Sequence, residues 1–319
     1  MGLQPKHTAY LFPGQGSQSV GMGQELASAY PLARDIFRQA DELLGFSLSR
    51  LAWDGPESEL NDTLNTQPAL FVHSMAALRV FEEAFPGFQP AFVAGHSMGE
   101  LSALVAAGVL PFADALHLVR RRGELMKQAG AVSPGGMAAI MGLDIASVEQ
   151  VCAEASARAA DPPEIVQVAN DNCPGQVVIS GDKAALERAL FLAVQAGARR
   201  AIPLAVSIAA HSPLMEHAQS GFTHAVEAAP LKDPLTPIIG NVSARPLTTT
   251  ADVRADLRGQ LTNRVRWTES IQFLAGQGVN SFLEFGSGSV LVGLLKRIER
   301  GAEGLTFGSP ADLERISAL

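Results

Sequence analysis

Gly95-His96-Ser97-Met98-Gly99 sets a serine between two glycines in a G-x-S-x-G pattern. Ahead of it, Ala91-Phe92-Val93-Ala94 reads as a buried strand. Behind it, Glu100 to Ala107 reads as a helix ended by Gly108. Strand, tight turn and helix in that order would lift the Ser97 hydroxyl clear of a sheet at a helix N-terminus. There the Met98 amide and the helix dipole can stabilise a developing oxyanion, and the chemistry would be catalysis by a serine nucleophile. The bare pentapeptide also describes a Gly-rich turn with a solvated serine. The flanking strand and helix favour the nucleophile.

A serine nucleophile needs a base. Among seven histidines, His211 stands in Val206 to Pro213, just before a Pro-started helix. It follows Ser97 in chain order, as the base does in hydrolases built on such an elbow. His96, adjacent to the serine, is expected to point away from it, and His73, on a helix apolar nearly all round, is expected to be a core residue. No aspartate between Ser97 and His211 is marked as a third triad member, and Asp171 is the nearest guess. Pro13-Gly14-Gln15-Gly16-Ser17-Gln18 follows a first strand, Thr8 to Phe12. It lacks the Walker lysine and the third glycine of a dinucleotide loop. What remains is a plain tight turn or, with its exposed amides, a second oxyanion donor.

Arg122 falls beside an apolar stripe of Phe112, Leu116, Val119, Gly123 and Met126 on a helix expected from Pro111 to Gln128, with Arg121 on the opposite face. A guanidinium at such an edge needs an anion. A structural salt bridge and a bidentate clamp on a substrate carboxylate both supply one. Spacing leaves the two open.

The elements around these residues alternate. Thr66-Gln67-Pro68 is expected to open a buried helix, with Pro68 in its first turn. From Met137 the order is strand (Met137 to Met141), helix (Ser147 to Ala160), strands (Ile165 to Ala169, Gln176 to Ser180), helix (Lys183 to Ala196) and strand (Ala201 to Ala205). That order is a ferredoxin-like unit. Strand Pro237 to Val242, helices Ala251 to Gln260 and Trp267 to Gln277, strand Phe282 to Phe285 and helix Val290 to Arg300 follow. The tail beyond Arg300 carries no signal. An α/β fold is expected, with an α/β-hydrolase-like, mostly parallel sheet in two pieces, 1–132 and 206–319, and a small ferredoxin-like subdomain, 133–205, inserted between them.

Composition narrows the class. A net charge of −8 argues against nucleic acid as a bulk partner. Cys152 and Cys173 make neither a disulfide framework nor a metal site and are expected to be reduced. The first residues lack an apolar signal core, and no stretch reaches the roughly 18 apolar residues of a membrane span. A cytoplasmic protein, not membrane-bound and monomeric, is expected.

Taken together, the chain resembles the malonyl-CoA:acyl-carrier-protein transacylases, acyltransferases of fatty acid synthesis. The matching stretches are Phe12 to Gln18, Thr66 to Leu70, Gly95 to Glu100, Arg122-Gly123, Asn170-x-Asn172-x-Pro174-Gly175-Gln176, His211, Gln260 and Glu284-Phe285-Gly286. The resemblance implies Ser97 as nucleophile, His211 as its base, the Gln15 and Met98 amides as oxyanion hole, and Arg122 as partner of the malonyl carboxylate. It also implies that Gln260, through a carbonyl oxygen, orients His211 in place of a triad acid, and that Gln15 and Asn170 touch substrate. Malonyl-CoA and acyl carrier protein would be the partners, with no metal or redox cofactor. Ala210, within Ile208-Ala209-Ala210, stands where the family often has Ser or Phe, and the smaller side chain would admit a branched extender such as methylmalonyl, as in a polyketide pathway, whereas Met98 opposes it. A Ser-His acyl hydrolase and a non-catalytic scaffold subunit are the rival readings.

Overall fold

A computed structural model describes residues 3–157 and 164–318. Among the described residues ten strands form two sheets: β1 (Thr8–Phe12), β2 (Phe92–Gly95), β3 (Gly135–Met141), β4 (Val166–Cys173), β5 (Gln176–Asp182), β6 (Arg200–Pro203), β7 (Ile238–Ile239), β8 (Pro246–Leu247), β9 (Ser281–Phe285) and β10 (Glu303–Phe307). The larger sheet runs β10-β9-β1-β2-β7-β8 and is parallel except for the β7–β8 pair. Every residue of β1 is buried, as a central parallel strand covered by helices on both faces requires. Phe12 pairs with Gly95, so β1 and β2 end level and the loops that leave them emerge side by side.

The smaller sheet is antiparallel, in the order β4-β5-β3-β6. Ala138 and Ile140, Val166 and Val168, and Val177 and Ile179 alternate onto one face. There they pack under helices Ile145–Ala157 and Lys183–Gln195 in a core of their own. A register shift in β4 then changes the face of one residue. Val168 pairs with core-facing Ile179, but Asn170 pairs with Val178, whose side chain lies on the other face. With Ala169 as the extra residue, the bulge turns Asn170 out of the helix-covered face.

Two long helices cross beside the larger sheet. Helix Thr63–Ala84 is buried along most of its length, as its all-round apolar sequence requires. It begins earlier than Thr66, capped by Asp62, whose side chain accepts from the Leu64 amide. Pro68 is therefore interior. A proline there leaves the Leu64 carbonyl without its helical donor, and Arg120 Nη1 supplies one at 2.9 Å. Helix Phe112–Val132 passes closely enough that a Cβ on Gly123 would sit 3.1 Å from the Thr63 carbonyl oxygen.

Other elements depart from expectation. The helix expected from Ala251 to Gln260 ends at Leu257, which leaves Gln260 in the following turns. The strand expected over Pro237 to Val242 shortens to Ile238–Ile239. Beyond Arg300 lie β10 and helix Pro310–Ser317, held by a capping box of Ser309 and Asp312. Four helices between Gln24 and Leu60 were not anticipated. The expected helix end at Ala160 lies outside the described residues. Among the described residues, no helix is long and apolar enough to cross a membrane.

Candidate active site

Ser97 sits between β2 and helix Gly99–Ala106 with φ of 51°, a conformation costly for a residue with a Cβ. Both flanking glycines are steric necessities. A Cβ on Gly95 would meet the Gly99 carbonyl at 2.0 Å, and one on Gly99 would meet the Phe12 carbonyl oxygen at 2.1 Å. Side chains from distant segments hold the turn. Asn241 Oδ1 accepts from the Ser97 amide (2.7 Å), while its Nδ2 donates to the Gly95 carbonyl (2.7 Å). Gln260 Nε2 donates to the Ser97 carbonyl at 3.1 Å.

Ser97 Oγ lies 2.8 Å from His211 Nε2. On the far side of the ring, Nδ1 faces two main-chain carbonyls, of Gln260 (2.9 Å) and Asn263 (3.0 Å). Carbonyl oxygens only accept, so the ring proton sits on Nδ1 and the Nε2 lone pair faces the serine. Those carbonyls occupy the position of a triad acid. Asp171, the sequence guess for that role, instead accepts from Thr268 Oγ1 at 2.8 Å. Burial, then the Arg122 charge and His96, pull the His211 pKa down to about 3, so the ring is neutral at ordinary pH. His211 also has positive φ (60°); it, Ser97 and Ala244 are the three such non-glycine residues among those described.

Arg122 is 1% exposed. Its Nε donates to Gln260 Oε1 (3.0 Å), Nη1 to Gln67 Oε1 (2.7 Å) and Nη2 to Ser97 Oγ (3.1 Å). Among the described residues it forms no ion pair with a carboxylate, whereas Arg121 on the outer face pairs with Glu124. Burial pulls its pKa down to about 10 and leaves it charged at neutral pH. A buried guanidinium held by neutral amides beside a serine hydroxyl is a site for an anion.

The loop after β1 brings Gln15 to the same place. Its side chain accepts from Thr63 Oγ1 at 2.9 Å, and Gln67 Nε2 donates to that hydroxyl at 2.8 Å. Neither the Gln15 nor the Met98 main-chain N–H is bonded to another described residue. Both residues line a cavity of about 640 Å³, together with Ser97, Arg122, His211 and Asn170. Asn170 makes no side-chain hydrogen bond to a described residue. The cavity thus gathers every predicted site residue except Gln260, which stands behind Arg122 and His211. His96 also lines it, but its ring is directed to partners other than Ser97: its Nε2 donates to Asn172 Oδ1 at 2.8 Å, and Trp267 packs edge-on against the ring. His73 is the expected core residue, bonded to the Gly308 carbonyl and drawn down to about 4 by burial.

Sequence reasoning missed Asn241, Asn263 and the orienting role of Gln67. Gln67 stood within a matched stretch and was the detectable one; nothing in the local pattern marks Asn241. Among the described residues no cluster of His, Cys, Asp and Glu is arranged to hold a metal.

Comparison with known proteins agrees with this geometry. The acyl transferase domain family model matches residues 9–305. The malonyl CoA-acyl carrier protein transacylase of Bacillus subtilis is 46% identical over 96% of this chain and 95% of its own length. The crystal structure of an acyl carrier protein S-malonyltransferase from Vibrio cholerae superposes with a TM-score of 0.93 at 42% identity, covering 98% of this chain and 100% of that one. A malonyl-transacylase solved in complex with a type II PKS acyl-carrier protein gives the same score and identity, over 98% and 99% of the two chains. With a shared fold and that level of identity along nearly its whole length, the chain belongs to the malonyl CoA-acyl carrier protein transacylases of the acyl transferase family.

Proposed function

We propose that this chain moves a malonyl group from malonyl-CoA to the phosphopantetheine thiol of an acyl carrier protein, through a malonyl ester on Ser97, for fatty acid synthesis. The observation that carries the reading is Arg122. Its guanidinium is buried and without an ion-pair partner among the described residues, and it lies one hydrogen bond from the Ser97 hydroxyl. A free carboxylate on the acyl group would meet that charge as the thioester carbon meets Oγ. An acetyl group would leave the charge unpaired, and a simple esterase has no use for it.

The steps balance on the residues present. His211 Nε2 takes the Ser97 proton as Oγ bonds to the thioester carbon. The amides of Gln15 and Met98 receive the oxyanion, at roughly 3 kcal/mol per donor in sites of this kind. The tetrahedral intermediate collapses by breaking the C–S bond, and coenzyme A leaves with the proton from His211. The carrier thiol then gives its proton to His211 as its sulfur bonds to the ester carbon, and the second intermediate collapses by breaking the C–Oγ bond, with Ser97 Oγ taking the proton back from His211. The Gln260 and Asn263 carbonyls stabilise the doubly protonated ring between transfers. No metal or redox cofactor enters these steps. Met98, buried in the cavity wall, opposes a branched methylmalonyl group, whereas Ala210 in the same lining leaves room for one.

We read the larger sheet as α/β-hydrolase-like, built from 1–132 and 206–319, and the 133–205 insertion as ferredoxin-like; its β-α-β-β-α-β order and central β5-β3 pair support this. We also propose a monomer, and a reducing cytoplasm fits the two buried free cysteines.

The test is intact-protein mass spectrometry after separate incubation with malonyl-, methylmalonyl- and acetyl-CoA. A malonyl adduct that is absent from Ser97→Ala and discharged by holo carrier protein is expected. Free malonate with no acyl carrier product would replace the transferase with a hydrolase.

A further inference from the structure

Glu100 is 1% exposed and directly follows the elbow glycine, yet it has no part in the steps above. Its Oε2 accepts from Gln260 Nε2 at 2.5 Å, and its Oε1 accepts from the Asn241 amide at 3.2 Å. These two residues take the Ser97 carbonyl and the Ser97 amide respectively. Glu100 therefore ties together both groups that brace the strained nucleophile. Gln260 also stands between Glu100 and Arg122, with its Oε1 toward the guanidinium and its Nε2 toward the carboxyl. Turned over, its NH₂ would face the Arg122 Nε–H, donor against donor. Glu100 and the Ser97 carbonyl, both acceptors, hold the amide the right way round. No ion pair joins Glu100 directly to Arg122 among the described residues.

We propose that Glu100 is a positioning residue, acting as a neutral hydrogen-bond node and not as a counter-ion: it fixes the Gln260 amide and so aims Arg122 at the incoming acyl carboxylate. The proposal rests on the malonyl reading of the site. Burial, and after it a second buried carboxylate, Asp256, keep the node neutral. The Asp256 carboxylate is 4% exposed and accepts from the Val242 and Ser243 amides and from Ser243 Oγ, on the segment that also carries Asn241. Burial first, and then Asp256, hold the Glu100 carboxyl well above the ordinary carboxylate range. A carboxyl that keeps its proton can accept from Gln260 and Asn241 and still donate to Asp256. It leaves the Arg122 charge for the substrate, where an ionised Glu100 would compete for it.

The role separates from plain structural support by substrate discrimination, measured as the ratio of kcat/KM for malonyl-CoA to that for acetyl-CoA, in Glu100→Gln and Glu100→Ala. Glutamine keeps the group neutral and keeps an oxygen for Gln260, but its NH₂ replaces the oxygen that accepts from the Asn241 amide, a loss on the nucleophile side of the site that falls on both substrates alike. Glutamine is expected to keep the ratio within about three-fold of wild type. Alanine leaves the Gln260 NH₂ held only by the longer bond to the Ser97 carbonyl, and the ratio is expected to fall by about ten-fold or more, the worth of one hydrogen bond to a charged group. Equal losses with both substrates in Glu100→Ala would overturn the positioning role and leave a folding role. A ten-fold loss of ratio in Glu100→Gln would overturn the neutral node and make Glu100 a counter-ion. Should Glu100→Ala fail to fold, Glu100→Gln decides alone: a kept ratio supports the neutral node. Failure of the malonyl reading itself shows differently, as no malonyl adduct on the wild-type chain.

Discussion

The two sheets wall one cavity and contribute different things to it. The parallel sheet supplies the reacting atoms: Ser97 leaves the end of β2 at positive φ, and the Gln15 loop leaves the level end of β1. The antiparallel sheet contributes Asn170, Asn172, Met137 and Val178, all neutral, and none of its residues is a non-glycine at positive φ. Strain and charge thus gather where bonds change, and the relaxed sheet offers a surface for parts of the substrate that do not react. That division suits an enzyme that draws binding energy from a long thioester arm while keeping its transition-state contacts on a rigid frame.

Substitutions on the two sides sharpen the contrast. On the reacting side, His211→Ala is expected to lower kcat/KM for malonyl loading by about 10³-fold or more, the scale of losing a general base. In the wild-type enzyme the sign of the pKa shift fixes the pH profile. His211 is drawn down to about 3, so the base stays neutral and competent as pH falls through 6.5. The acid limb of kcat/KM is expected well below that value, and a limb centred near 6.5 would show the ring to be less shielded than its burial indicates. On the relaxed side, Asn170→Ala is expected to raise KM by about two- to five-fold with kcat nearly unchanged, since it removes an unshared polar contact. A large fall in kcat would move Asn170 to the reacting side and erase the distinction.

What could be read in the sequence was local. Ser97 with its strand and helix spans under twenty residues, and the steric role of its glycines follows from the turn itself. His211 was identifiable by its place before Pro213. The partners of Arg122 were not, because helical spacing says which face a side chain takes and nothing about what residues 67 and 260 bring to that face. Asn241 was invisible for the same reason: its contact with Ser97 spans 144 positions. Asn170 was reached through resemblance alone, since strand alternation would send it to the core beside Val168; only the bulge in β4 turns it to the cavity. The helices between Gln24 and Leu60 include pieces of four to seven residues, too short to display a period. Pro68 misled for a physical reason, because Arg120, a residue from another helix, satisfies the carbonyl that a proline strands.

The account turns on whether the Arg122 charge is kept for a carboxylate on the substrate. The direct measurement is acyl loading of Arg122→Ala by malonyl-CoA and by acetyl-CoA under identical conditions. Malonyl loading is expected to fall by about 10²- to 10³-fold, the scale of losing a buried charge-assisted pair, while acetyl loading holds or rises. Unchanged preference for malonyl in a folded Arg122→Ala would contradict the assignment and return Arg122 to a structural role.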